Sequence, residues 1–462
     1  MQERRSAEVQ KCDLGRQPKC QASLITSPQM IPASPVTAPV PSATLAKFTP
    51  PATPATPVLS PRRAAFALAL LMGLQPVTTD IYLPALPMLT QGLGASMGSA
   101  QLTLSALILA FGLAQMVWGP VADRFGRRPV LLSGLSLYAV ASVGCLLAGS
   151  IETLIVWRAL QGAAMAAAVV CARAVVRDLY EPVQGARVMA LALTGLGLIA
   201  LVGPLAGGVA AKLWGWRGTF ALVAAVAVLT LVFVAARLPE TLPVRNPQAT
   251  RLLPMARTWW AIGRHPVFRA WALLVACTYG GLFTLLAGSS FVYINVLGLS
   301  PVAYGAAMAT GSVAYVAGTL VCRRWITRFG MDGTVARGAI FTLAGGALGA
   351  GLALVGAQQV WAVLLAQCLY IFGHGLHQPC AQAGVVAPFP ASAGAASALA
   401  GLLLALVAFG VGQWLGGALE GALGAGLGGT QGGGLRPLLL GLAFWSVATS
   451  LVAWTLVQRA LR

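Results

Sequence analysis

The sequence predicts an all-α polytopic membrane protein, and three observations predict it. Of its 462 residues 58% are apolar and only 9% charged, too little charge to coat a soluble domain of this size. The apolar residues gather into runs of roughly 20, the length a helix needs to cross about 30 Å of hydrocarbon. The runs are continuous and rich in Leu, Ala and Gly instead of alternating, which selects helices over the strands of a membrane barrel.

The chain opens on a polar segment, residues 1–61, with ten prolines from Pro28 to Pro61 and repeats such as TPPATPATP. Without apolar periodicity it reads as a disordered tail. It lacks the basic start, apolar stretch and cleavage site of a signal peptide, so the first targeting element is the run that begins at Ala64. Six spans follow over 64–86, 100–121, 129–149, 153–175, 187–210 and 218–237. A basic loop, 238–268, separates these from six more over 269–291, 303–323, 335–356, 360–386, 394–419 and 437–458. The expected units are therefore the tail, a six-helix half over 62–237, the middle loop, and a second half over 269–462. The tetrapeptide DRFG at Asp123 to Gly126 recurs as TRFG at Thr327 to Gly330, each between the second and third span of its half. Parallel repeats of this kind predict a carrier working by alternating access around a central site.

Lys and Arg set the orientation. With the N-terminus inside, only Lys212, Arg217 and Arg436 fall on the outer side, and Arg158 lies within a span. Both termini are then expected in the cytoplasm. The net charge of +19 follows from the inward-facing loops and suits anionic lipid, which removes the reason to invoke nucleic acid. The eight cysteines form no CxxC and no outward-facing pair, so they read as small apolar packers, not disulfides or metal ligands.

In the loop GPVADRFGRRP, Gly119, Gly126 and the prolines permit a tight turn. Asp123 can accept from a neighbouring helix terminus or an arginine, while Arg124, Arg127 and Arg128 face lipid or carboxylates; such a loop would latch one closed state. In span five, Gly203, Pro204, Gly207 and Gly208 remove a backbone donor and strip one face of side chains, which predicts a bent, closely packed helix.

The chain has eleven carboxylates, and Asp80 is the one expected well within a span. It lies about 24 Å along the first helix, in the outer half of the membrane. Arg158 enters the fourth span at a similar depth, so an Asp80–Arg158 pair, direct or through water, is expected. Unpaired, either charge costs at least ~2.5–3.5 kcal/mol at the centre of a span. Desolvation favours a neutral carboxyl and a nearby arginine a charged one, so movements that alter either can load and release a proton. Candidates for the cavity wall are Gln75, Tyr82, Gln115 and Gln161 in the first half. In the second they are Tyr279, Tyr293, Gln367, Tyr370, His374 and His377. The two histidines share a helix face, but without a nearby carboxylate or cysteine they fall short of a metal site and read as histidines beside a watery cavity. Phe111, Met116, Phe283 and Met308 are candidates for shaping an apolar pocket.

Several of these stretches carry a resemblance. GPVADRFGRRPVLLSG resembles the loop between helices two and three of the major facilitator superfamily. RALQGAAMA, from Arg158, resembles its helix-four motif, and LVGPLAGG, from Leu201, the helix-five motif of its exporters. Together with TDIYLPALP, VVRDLYEP and FVYINVLGLSP they make the chain similar to the Bcr/CflA branch, the bicyclomycin and chloramphenicol type of multidrug efflux transporter. The resemblance implies a cavity lined by helices one and four, and a monomeric carrier in a bacterial inner membrane. That carrier would exchange protons for small drug-like compounds and need no cofactor. Some relatives carry a second acid in helix one where this chain has Met72. A proton symporter importing a metabolite would share the fold and Asp80. An enzyme is not expected, since no nucleophile, base and metal set is visible.

Overall fold

The computed structural model describes residues 60–424 and 433–460, and the tail expectation lies outside them. The described residues form helices and no strands. Helix α1, Pro61–Asp80, begins with proline at its first turn, where the missing N–H costs nothing, and ends at Asp80, short of the expected boundary near 86. A 3-10 turn at Leu83–Ala85 and helix α2, Leu86–Leu93, continue the span, which the Pro84 and Pro87 rings divide. Helix α3 is Met97–Phe125, α4 Arg127–Leu147 and α5 Ile151–Leu179. Serine caps start α3 and α5: Ser96 accepts from the Ser99 N–H, and Ser150 forms a capping box with Thr153.

Helix α6, Pro182–Arg237, and α9, Pro301–Val355, are 56 and 55 residues long, more than twice what a bilayer crossing needs. Each turns back at one glycine with positive φ, Gly215 at +67° and Gly330 at +71°, so each supplies two spans. With this folding, the ten apolar helical stretches among the described residues give twelve crossings. The remaining elements are α7 Leu252–Arg264, α8 Pro266–Ser290 with a π-turn over Phe291–Val296, α10 Val360–Val386, α11 Ala393–Gly424, α12 Arg436–Trp454 and α13 Leu456–Ala460. Helix α7 lies where only a basic loop was expected; it exposes Leu252, Leu253 and Trp260 between arginines.

Small residues let the backbones approach. A Cβ on Gly162 of α5 would fall 2.0 Å from the Leu107 carbonyl of α3, and one on Gly134 of α4 would fall 2.5 Å from the Ala167 Cβ of α5. Leu and Val side chains such as Leu147, Leu229 and Leu354 point outward, as a lipid-facing girdle requires.

Two faces can be distinguished. The basic face carries the α3–α4 turn, α7 and Arg323 to Arg328. The opposite face is sealed by a seam of glycines: a Cβ on Gly208 of α6 would fall 2.5 Å from the Pro301 carbonyl of α9, and one on Gly305 of α9 would fall 2.5 Å from the Pro204 carbonyl. On the same face the Gly98 N–H at the start of α3 donates to the Glu420 carboxylate of α11 at 2.7 Å. Gly203 does not share the tight packing expected of its neighbours, since a Cβ there would make an ordinary 3.5 Å contact with the Asp80 Cβ.

Candidate functional site

Helical spacing builds one cavity of about 240 Å³ between the two halves. From α1 come Gln75, Pro76, Thr79 and Asp80, and from α9 come Met308, Gly311, Ser312 and Tyr315, each set at the three- and four-residue steps that line one helix face. Helix α10 adds Gln367, Ile371, His374 and Gln378 on the same rule, and α8 adds Tyr279, Phe283 and Leu286. The wall is apolar for most of its area, with a polar stripe from α1 and α10, the make-up of a small-molecule site. Asp80 is the one carboxylate in it. Thr79 Oγ1 donates to the Asp80 carboxylate at 2.7 Å.

Across from α1 the polar groups form a chain. The Tyr315 hydroxyl bonds to Gln378 Oε1, and Gln378 Nε2 donates to the Tyr279 hydroxyl at 2.9 Å. The His374 ring meets Tyr279 edge-on at 4.9 Å, and its Nδ1 pairs with the Thr278 hydroxyl at 2.9 Å.

Arg158 does not pair with Asp80. It is fully buried beside the cavity, where its Nη1 donates to the Thr78 carbonyl at 3.2 Å and to Gln161 Oε1 at 2.8 Å. Its guanidinium lies over the Tyr82 ring at 4.6 Å. The reason is azimuthal: residues 78 and 80 project about 200° apart on a helix of 3.6 residues per turn, so matching depth puts Thr78, not Asp80, against α5. The Thr78 hydroxyl accordingly bonds Tyr138 of α4.

Of the expected cavity wall, Gln75, Tyr279, Gln367 and His374 line the cavity. Gln115 lines a smaller adjoining pocket on the side of the basic face. The others are packed behind the wall. Tyr82 bonds Thr103 at 2.6 Å, Gln161 holds Arg158, and the Tyr370 hydroxyl donates to the Thr278 carbonyl at 3.0 Å. Tyr293 donates to Gln367 at 3.2 Å, and His377 pairs with the Val335 carbonyl at 3.1 Å. Phe283 and Met308 line the cavity and Phe111 the smaller pocket; Met116 lines neither. Thr79, Ser312, Tyr315 and Gln378 were not singled out, although their spacing from Asp80, Met308 and His374 would have found them.

On the basic face Arg127 bridges Asp123 at 2.6 Å and Asp178, at the end of α5, at 3.0 Å. Glu240, just past α6, accepts backbone N–H groups from Arg127 at 2.9 Å, Arg128 at 3.2 Å, Thr241 at 2.9 Å and Leu242 at 3.0 Å. Partial burial works to raise the Glu240 carboxyl, but these N–H groups outweigh it and hold the group below its ordinary 4.5. Arg128 donates to the Leu238 and Ala235 carbonyls at 3.0 Å each, and Arg124 to Thr250 at 2.6 Å. These bonds tie α3, α4, α5, the exit of α6 and the segment before α7 to one another.

A helical bundle crossing the membrane twelve times around a largely apolar cavity is the architecture of a small-molecule carrier. The chain belongs to the Major Facilitator Superfamily, whose family model matches residues 68–412. It is a multi-pass membrane transporter, not an enzyme. Multidrug resistance protein D of Escherichia coli (strain K12) is 31% identical over 334 residues, 72% of this chain and 83% of that protein. The uncharacterized MFS-type transporter YdgK of Bacillus subtilis (strain 168) is 31% identical over 263 residues, 56% of this chain and 65% of the relative's length. The Bicyclomycin resistance protein homolog of Haemophilus influenzae is 28% identical over 265 residues, 57% of this chain and 67% of that protein. Among solved structures, a bacterial homolog of the human lysosomal transporter Spinster, inward-facing and occupied, superposes with a TM-score of 0.67 at 15% identity. That match covers 87% of this chain and 98% of the other, and it speaks for the fold alone.

Proposed function

We propose that this transporter is a proton-coupled antiporter that exports drugs or other small amphipathic compounds across a bacterial inner membrane. The basic face, with both termini, lies in the cytoplasm, as the distribution of Lys and Arg supports. Relatives named for multidrug and bicyclomycin resistance support the substrate class. The single observation that carries the coupling is Asp80. It is the one carboxylate on the cavity wall, among the described residues it has a hydroxyl and no cation for a partner, and it sits against Gly203 of α6, the helix that forms the outer seam.

A proton from the outer side binds the Asp80 carboxylate when the seam opens. After the seam closes, the proton leaves Asp80 for the cytoplasm as drug enters from there. Desolvation favours the neutral form and water the charged form, so opening and closing the cavity changes proton affinity without a cofactor. Arg158 serves this step through α1: by holding the Thr78 carbonyl it fixes the last turn, on which Asp80 stands. The transporter acts as a monomer with lipid as its solvent.

Purified protein in proteoliposomes with an imposed pH gradient tests the reading. Wild type is expected to move a cationic drug, and a neutral one, uphill with proton release, and Asp80→Asn to lose both while retaining drug binding. Uphill transport at the wild-type rate by Asp80→Asn would remove Asp80 from the coupling step.

A further inference from the structure

Beside the cavity, toward the basic face, lies a pocket of about 60 Å³ that shares Gln75, Ile108, Tyr279 and Leu404 with it, so the two adjoin across those side chains. Arg173 of α5 lines this pocket. Its Nη1 donates to Ser397 Oγ of α11 at 2.9 Å, and it makes no ion pair: those among the described residues belong to Arg127. The other polar groups on the pocket wall, Gln75, Gln115, Gln382 and Tyr279, are neutral. Arg177, one turn further along α5, adds to the positive potential. An intramembrane cation with no counter-charge is costly to keep, and a guanidinium has donors to spare for a planar anion.

The charges are therefore ordered along the cavity. Asp80 stands five residues beyond Gln75 on α1, about 7.5 Å further from the basic face, and Arg173 stands on the near side. The main cavity offers an apolar surface from Leu282, Phe283, Leu286, Met308 and Ile371 beside the polar stripe of α1 and α10.

We propose that Arg173 is a recognition site for the carboxylate of an amphiphile whose apolar body fills the main cavity. The substrate range then includes monoanionic aromatic acids, and the two ends of the cavity differ in charge preference. This inference rests on the reading of the cavity as a transport site, but its test needs no gradient and no proton coupling.

The probes are 2-naphthoate and its neutral isostere 2-naphthamide, with binding measured by calorimetry on the purified full chain in detergent at neutral pH. A charge-assisted hydrogen bond is expected to make naphthoate bind at least about tenfold tighter. Arg173→Gln is expected to erase the preference. Arg173→Lys keeps the charge but loses the fork, and is expected to weaken naphthoate several-fold while leaving some preference. Equal binding of the two probes to wild type, or a preference that survives Arg173→Gln, overturns the proposal. If Arg173→Gln does not elute as a monodisperse protein, the lysine variant decides, and wild-type affinity for naphthoate in it would likewise overturn the assignment. Failure of uphill drug transport in proteoliposomes would count against the antiport reading and leave this result untouched.

Discussion

Gly305→Ala should loosen the outer seam by a calculable amount. A Cβ there would fall 2.5 Å from the Pro204 carbonyl oxygen, 3.0 Å from its carbon and 3.2 Å from the Leu205 Cα. All three are backbone atoms of α6, so no rotamer change relieves the clash and the two helices must separate. Overpacking by such a group costs about 1–3 kcal/mol, and only in the state in which α6 and α9 touch. The ratio of closed to outward-open molecules should then fall about 5- to 150-fold. The assay is labelling of Met308→Cys, on the cavity wall, in a cysteine-free background with an impermeant maleimide supplied from the outer side. The control is Gly203→Ala, whose Cβ makes only a 3.5 Å contact with the Asp80 Cβ. Faster labelling in Gly305→Ala than in the control is expected. Equal rates in the two would refute the claim that backbone contact at Gly305 holds the outer face closed.

Glu240 has a depressed pKa, so its stabilisation is fully present above the ordinary value of 4.5 and is lost as pH falls through the lower folded value. Thermal melts of wild type and Glu240→Gln should therefore differ near neutrality and converge below that pH; a constant gap would contradict the linkage. Gly126→Ala should destabilise more than Gly330→Ala. Both carry positive φ, +108° and +71°, with extended ψ, at roughly 1–3 kcal/mol each for a side chain. At Gly126 the Cβ would fall 2.4 Å from an oxygen of the Glu240 carboxylate, which four backbone N–H groups hold in place, whereas at Gly330 it would fall 2.8 Å from Asp332 Oδ1, which no such bonds hold among the described residues. Paired thermal melts check this, and equal losses would contradict it. Deleting residues 2–58, a proline-rich stretch with no apolar periodicity, should leave membrane insertion and export intact by immunoblot and efflux assay.

The spans were legible because charge is so costly in hydrocarbon that its absence marks them. The Asp80 location was legible for the same reason. Its partner was not: depth along a helix can be counted from a sequence, whereas azimuth relative to a second helix depends on packing, and two residues of offset turned Asp80 away from Arg158. The acids around Arg127 were hidden by distance along the chain, since Asp178 lies 51 residues away and Glu240 113. Helix α7 was masked by its arginines and Pro254, although apolar residues at Leu252, Leu253, Trp259 and Ile262 carried a helical pattern. The inner pocket went unread because Arg173, close to a helix end, looks like an ordinary inward-facing charge.

The duplicated turn offers a comparison that the molecule makes with itself. Gly126 and Gly330 both adopt positive φ with an extended ψ, of 156° and −179°, and in both copies the arginine lies 5.2 Å over the phenylalanine ring that follows it. Asp123 has no counterpart in the second copy, where Thr327 stands. One half thus folds the same corner without the acid that the other half ties to Arg127. The Asp123 carboxylate is therefore not what gives the turn its shape. A chimera with TRFG in both loops would leave the architecture standing while removing the acid from the first corner, with Arg127 and Arg128 still set against Met331 and Asp332 in the second.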